Sequence, residues 1–418
     1  MLNNQYQQAS TTYMTEQPVV TGLLNQALRN QISALNQPTV TGQTLQQSFL
    51  AIAKQAVTTS SCSSVREKLF VDAYNQAIKT LAKAQLTEAQ MTDQFINEHG
   101  LVMSVLNCTT TIKDVHRNSI FYKAVFELIG DLLQRSPQIN IAYPACGPFA
   151  PLLLPILLYM DQQHIISPKT VRVSLIDIQP GAIQSLKVLI NELQLSAYFE
   201  GVYHADAVLF KGSQPFDIFL AEAFQHGFSK EAHLNICKNF ARQLSNHGVM
   251  LPCKTKVNAA LVKCQREFVE QWQQQPHNEK IKSAPNSDIL SERIELGNVL
   301  TLDRHTLLTL DIIKLGEQQV ARCNTLAIPA STEDASKRVL VLYAEVMTYN
   351  EHWLTQYQSG ITHPLPFLNV CIDFEPQSAT ADDLLLSSTD KITFYYKLTG
   401  LTGFLPTKAE QQVSYGAN

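Results

Sequence analysis

Ile139-Asn-Ile-Ala-Tyr-Pro-Ala-Cys-Gly-Pro-Phe149 decides the reading of the fold. An apolar run of strand length turns at Pro144–Gly147 and enters Phe149 to Met160, the longest apolar run in the chain. Broken by Pro151 and Pro155, this run falls short of the ~20 residues that span a bilayer, so it is predicted to be buried. A strand passing through a tight turn into a helix is where a doubly wound α/β domain places its ligand loop. Gly147 can let the backbone approach a ligand. Ala145 and Phe149, however, stand where a nucleotide loop usually has glycine, so an ordinary strand-to-helix turn is the competing reading.

Working outward, a helix through Ile120 to Leu133 precedes this strand. Val171–Ile178, Tyr198–Val202 and Phe216–Leu220 follow it as further apolar runs separated by helical stretches. That alternation predicts a parallel α/β sheet. Upstream, Leu23-Leu24 with Ala27-Leu28, then Leu45 to Val57 and Leu69 to Leu81, recur at helical spacing. Thr87 and Gln90 form a capping-box pattern that predicts a helix running towards Leu106. The first ~20 residues, rich in Gln, Thr and Asn, read as a mobile lead-in. Beyond Pro252 a helix is predicted over Val257–Gln274. Val299–Leu302, Thr306–Ile313, Thr325–Ile328, Arg338–Val346, Phe367–Phe374 and Lys391–Leu398 then have the β-branched content of an antiparallel barrel or sandwich.

The 418 residues are 45 % apolar, enough to bury a large core in two or three domains. Thirty-two basic and 36 acidic side chains give a net charge of −4, with no Lys/Arg run. This argues against nucleic acid or an anionic membrane as a partner. The eight cysteines include no C-x-x-C pair, which suits reduced thiols and a cytoplasmic location. Met1-Leu-Asn-Asn-Gln has neither a basic nor an apolar stretch, so no secretory signal is expected.

Four acids carry the chemistry. Asp177 ends the second strand of the sheet, where it can accept hydrogen bonds from ribose hydroxyls. Asp206 follows the third strand and can take an adenine amine or simply cap a turn. Glu222 ends the fourth strand, and Glu231 follows nine residues later. Two buried carboxylates on one pocket repel unless a cation sits between them, and a planar guanidinium matches two carboxylates at once. The alternative is that Glu231 caps the helix after Ser229. His233 and Cys237 have the spacing of a metal pair, but no further ligand cluster accompanies them, so no metal is expected.

These residues resemble the protein arginine methyltransferases over about residues 110–400. Ala221-Glu-Ala-Phe-Gln-His-Gly-Phe-Ser-Lys-Glu231 is similar to the family's double-glutamate loop, and Leu244 to Pro252 to the strand after it. Lys113-Asp-Val-His-Arg117 resembles the helix that covers the cofactor, and Glu351-His-Trp353 with Gln356 the Thr-His-Trp loop of its barrel.

The apolar spacing gives a helical region 1–107, and the resemblance implies a Rossmann-like S-adenosylmethionine domain 108–252 and a β-barrel substrate domain 253–418 after it. It implies S-adenosylmethionine as cofactor, S-adenosylhomocysteine as product, and methyl transfer to a guanidino nitrogen of a protein, a peptide or a small metabolite. Glu222 and Glu231 would hold the guanidinium, with Trp353 beside them. His352, paired with Asp114, would accept the proton, and Arg117 would hold the cofactor's carboxylate. Gly147, Asp177 and Asp206 would complete the cofactor site.

Three departures accompany it. Tyr143 stands where the family usually has an acid, Thr111 and His233 where it often has methionines, and the dimerisation arm that would support a homodimer is not recognisable. A non-catalytic module, or a methyltransferase acting on another nitrogen or oxygen, stands as the alternative.

Overall fold

The computed structural model describes residues 43–58, 63–271, 286–330 and 334–409. The expected lead-in, the Leu23–Leu28 helix and Cys62 lie outside them. From Leu45 onward the described residues belong to one compact unit, and one hydrophobic cluster extends from Leu45 to Phe404.

Strands β1 (Phe95–Ile96) and β2 (Leu101–Val102) form a hairpin. Five further strands, β3 (Ile139–Pro144), β4 (Val171–Asp177), β5 (Phe199–His204), β6 (Phe216–Leu220) and β7 (Leu244–Leu251), build one sheet in the order β5-β4-β3-β6-β7. Every neighbouring pair in it is parallel. Ile139, Ile141 and Ala142 of β3 and Val173, Ser174, Leu175 and Ile176 of β4 are buried, covering both faces of the sheet, which accounts for continuous rather than alternating apolar runs. The strand order reverses between β3 and β6, and a crevice opens at the carboxyl ends there. Helices Leu154–Gln162 and Pro180–Glu192 each carry proline in the first turn, where a missing N–H breaks no intrahelical bond. No helix among the described residues is long and apolar enough to cross a membrane.

The N-terminal helices pack on the outside of this layer. Leu45–Thr58 lies on Leu154–Gln162 and Val115–Leu133, and Ser63–Ala82 on Pro180–Glu192. Phe49, Ile52 and Phe70 are buried there, and Phe70 stacks on Tyr122 at 6.3 Å.

The helix opened by Thr87 forms its capping box but ends at Thr92 instead of running to Leu106. The chain turns extended at Asp93, and beyond it Asn97 Oδ1 accepts the His99 and Gly100 N–H groups at 2.9 and 3.0 Å and shapes the β1–β2 hairpin. Gly100, at φ +155°, passes so close to Ala232 that a Cβ would lie 2.8 Å from its nitrogen.

Beyond Pro252 the strands are antiparallel. One sheet runs β13 (Trp353–Leu354), β12 (Val339–Met347), β8 (Lys254–Val262) and β9 (Ile294–Leu302), with β14 (Leu365–Phe367) also on β12. Another runs β10 (Ile312–Leu315), β11 (Gln318–Ala327), β17 (Lys391–Lys397) and β18 (Gly403–Lys408). Between them β15 (Val370–Ile372) and β16 (Leu384–Leu386) make a short parallel pair.

The expected barrel is not closed. Among the described residues no ladder joins the two sheets, and Asn324 Nδ2 reaches Asn298 O of β9 at 3.0 Å as a side-chain tie instead. Register shifts in β8–β9 at Val257/Asn258 and Ala259/Ala260, and in β11–β17 at Arg322/Thr325, increase the local twist where closure would need continuous pairing.

Two elements differ in kind from expectation. The predicted helix at Val257 is strand β8, central in its sheet, with Val257, Ala259 and Leu261 buried. Val257 and Leu261 satisfy the helical and the strand period alike, and a π-helical turn, Gln265–Glu270, follows only afterwards. The first half of the predicted strand Thr306–Ile313 belongs to a helix, Arg304–Thr309, started by a capping box between Asp303 and Thr306, and Ile312–Ile313 open β10. Phe367–Phe374, expected as one strand, is divided between β14 and β15.

Candidate functional site

The carboxyl ends of β3, β4 and β6 face two adjoining cavities. Asp177, Asp206, Val102 and Val105 line one of about 90 Å³, and Asp114, Arg117, Tyr143 and Glu222 line another of about 330 Å³. Met103, Cys108, Ala145, Gly147 and Glu231 line both, so the two are halves of one site.

Asp177 closes β4 and is buried. Its Oδ2 accepts the Gly147 N–H at 2.8 Å and its Oδ1 the Gln179 N–H at 2.8 Å. Burial pushes its carboxyl up, and these two N–H groups pull it back down. Gly147 has φ +64°, and a Cβ there would meet only Cys108 Cβ at 3.6 Å, so glycine serves the backbone conformation more than the space. Ala145, also left-handed at φ +49°, lacks that freedom. Asp206 Oδ1 accepts the Val208 N–H at 2.8 Å, so this acid both caps its turn and lines the Asp177 cavity.

In the other half Glu222 Oε2 lies 2.6 Å from Arg117 Nη1. Burial pushes the Glu222 carboxyl up while the guanidinium pulls it down. The surrounding carboxylates outweigh burial at Arg117 and keep it charged. Arg117 Nη2 donates to Thr111 O at 3.3 Å. Its Nε is buried 3.7 Å from Asp114 Oδ2, too far for a hydrogen bond.

Glu231 shares this cavity. It accepts from Gln225 Nε2 at 3.2 Å, and its carboxyl is pushed up to about 8 by burial and then by the charge of Glu222. It caps no helix, since His233–Ala241 begins after Ala232 without a side-chain cap. The loop holding it is pinned by the Lys230 N–H on Thr402 O and by Thr402 Oγ1 on Glu231 O, both at 2.8 Å.

The expected His352–Asp114 pair does not form. His352 Nε2 lies 3.1 Å from Glu127 Oε2, while Asp114 Oδ2 accepts Ser359 Oγ at 2.5 Å and the Gly360 N–H at 3.3 Å. Thirteen residues of helix separate Asp114 from Glu127, about 20 Å at 1.5 Å per residue. β13 meets the helix at the Glu127 end, and the loop after it, at Ser359, meets the Asp114 end. Trp353 lies in β13 with Lys256 Nζ 5.0 Å from its ring centre, and neither it nor His352 lines either cavity.

Met103, Cys108, Gln225, Ser359 and Tyr143 were not singled out as site residues. The only readable signal was Ser359-Gly-Ile-Thr362, a capping box for the short helix Gly360–Thr362. His233 and Cys237 are buried 3.4 Å apart, and burial pushes the imidazole down to about 3, so it stays neutral. Among the described residues no group of three His, Cys, Asp or Glu side chains gathers to hold a metal.

The donor and acceptor set fits an adenosine bearing an amino-acid tail. Asp177 suits ribose hydroxyls, Asp206 an exocyclic amine, and the Arg117 guanidinium in the other half a carboxylate. The Asp177 half alone, about 90 Å³, is below the ~300 Å³ of ordinary ligand pockets, and the adjoining half adds about 330 Å³.

No family model and no curated protein matches the sequence. Solved structures are similar to it, among them the following two. The PRMT1 enzyme–prozyme heterotetrameric complex with AdoHcy from Trypanosoma brucei has a TM-score of 0.40 at 12 % identity, over 73 % of this chain and 98 % of that one. Protein arginine methyltransferase 10 of Arabidopsis thaliana, in a uniquely open conformation, has a TM-score of 0.42 at 10 % identity, over 73 % and 98 % of the respective chains.

Proposed function

We propose that the chain is an S-adenosylmethionine-dependent N-methyltransferase acting on a guanidino nitrogen. The observation that supports it is the pair Glu222 and Glu231, two half-buried carboxylates on one cavity that is continuous with the Asp177 half. The cofactor would supply a methyl group on a sulfonium. Asp177 would hold its ribose, Asp206 its adenine and Arg117 its carboxylate.

Glu222 and Glu231 would align the guanidinium so that one nitrogen lone pair faces the methyl carbon, and alignment is the main contribution such a displacement needs. A guanidinium has a pKa above 12, so its proton leaves during or after transfer. Since His352 lies away from the cavity, Glu231, with its carboxyl pushed up to about 8, is the group placed to take that proton. On this reading residues 108–252 are a Rossmann-like cofactor domain, 253–418 serve the acceptor, and the protein works in the cytoplasm.

The test is release of S-adenosylhomocysteine from S-adenosylmethionine with free arginine and with an arginine-containing peptide. Turnover with either, nearly abolished in Glu222→Gln, supports guanidino transfer. Turnover that tolerates Glu222→Gln moves the acceptor to another nitrogen or oxygen. A second reading, a binding module without catalysis, is favoured by the Arg117–Glu222 pair, which already occupies one of the two acceptor carboxylates.

A further inference from the structure

Arg117 sits where an incoming guanidinium would have to sit. Its Nη1 lies on Glu222 Oε2 at 2.6 Å, inside the cavity that Glu231 also lines, so the chain's own guanidinium holds one of the two carboxylates. A second guanidinium on the remaining Glu222 oxygen would lie close to this like charge, which weakens its binding while Arg117 stays there.

The backbone that carries Arg117 is fixed. Its N–H donates to Asp114 Oδ1 at 3.2 Å in the first turn of the helix, and Asp114 is itself held by Ser359 and Gly360. The guanidinium is held less evenly, with one short bond to Glu222, a long one of 3.3 Å to Thr111 O, and a buried Nε that makes none. Ala145 and Gly147 of the β3 loop line the same cavity as Arg117 and also line the Asp177 half.

We propose that Arg117 is a switch between the two halves of the site, resting on Glu222 until a carboxylate entering beside Gly147 draws it away and frees Glu222 for a guanidinium. The cofactor would thus act on the acceptor half through its carboxylate rather than its adenosine, and the two ligands would bind with positive, reciprocal coupling. Glu231 adds to the effect. Burial and Glu222 push its carboxyl up to about 8 while Gln225, Arg117 and Lys230 pull the other way, so the resting acceptor half attracts a cation less strongly than two full carboxylates would.

The inference rests on the methyltransferase reading, and three titrations of the full chain separate the two. Agmatine, an arginine side chain without a carboxylate, is titrated calorimetrically into the protein alone, with saturating S-adenosylhomocysteine, and with saturating 5′-methylthioadenosine, which lacks the amino-acid carboxylate. About tenfold tighter agmatine binding with S-adenosylhomocysteine, and no change with methylthioadenosine, is the expected result. Equal agmatine affinity in all three, or equal enhancement by both nucleosides, overturns the switch while leaving the cofactor site standing. Failure of S-adenosylhomocysteine to bind overturns the methyltransferase reading and the switch with it. In Arg117→Gln the affinity without any nucleoside should rise towards the value that S-adenosylhomocysteine confers on the wild type.

Discussion

Arg117 and Glu222, 105 residues apart in sequence, meet at 2.6 Å in the interior with side-chain exposures of 8 % and 10 %. Removing one member of a buried pair leaves the other uncompensated, at a cost of about 3–5 kcal/mol. Arg117→Met should therefore be strongly destabilised at pH 8 and less so at pH 5, where Glu222 can take a proton. The double variant Arg117→Met, Glu222→Gln should recover much of the loss. Urea unfolding at the two pH values checks this, and equal losses in the single and double variants would count against the pair.

Glu231 should make stability fall with rising pH. Its carboxyl is raised in the folded protein from 4.5 to about 8, so its contribution is fully present below 4.5 and is lost as pH rises through 8. The slope is about 1.4 kcal/mol per unit between those values. Glu231→Gln should flatten that decline and raise the melting temperature most at pH 8. Thermal unfolding across pH 5–9 measures it, and parallel curves for the variant and wild type would refute the assignment.

Gln179 ties the hairpin to the sheet. Its Nε2 donates to Asp93 O and Met103 O, both at 2.9 Å. Gln179→Ala should speed hydrogen exchange at Leu101, whose N–H bonds Lys230 O at 2.8 Å, at least tenfold while leaving β3 and β4 protected. Exchange at Leu101 that stays at the wild-type rate would show that the hairpin is held by other contacts.

His352 should matter little to the reaction. Its partner is Glu127 at 3.1 Å, and both side chains are about a quarter exposed, so His352→Ala should cost no more than about 1 kcal/mol. Turnover should stay within a few-fold of wild type. A loss of a hundredfold or more in kcat with unchanged stability would restore His352 to the chemistry.

The parallel sheet was legible because strands buried on both faces leave continuous apolar runs, as in Ile139–Tyr143 and Val171–Ile176. The positions of Asp177, Glu222 and Glu231 at strand ends and in the following loop could be read for the same reason. β8 was not legible, because Val257 and Leu261 obey the helical and strand periods equally. Nor was the end of the Thr87 helix, where the chain turns extended at Asp93 and Asn97 then closes a hairpin turn. The partners of Asp114 and His352 depend on which end of a 19-residue helix a distant loop reaches, and no local pattern encodes that.

The central claim is that the Asp177 half holds a nucleoside cofactor, and calorimetric titration of the full chain with S-adenosylhomocysteine tests it most directly. The wild type should bind with a dissociation constant on the order of 1–10 μM, and Asp177→Asn, which keeps the side chain's size but not its charge, should weaken binding at least tenfold. A folded wild-type protein that gives no heat of binding and no thermal shift with this ligand would contradict the account.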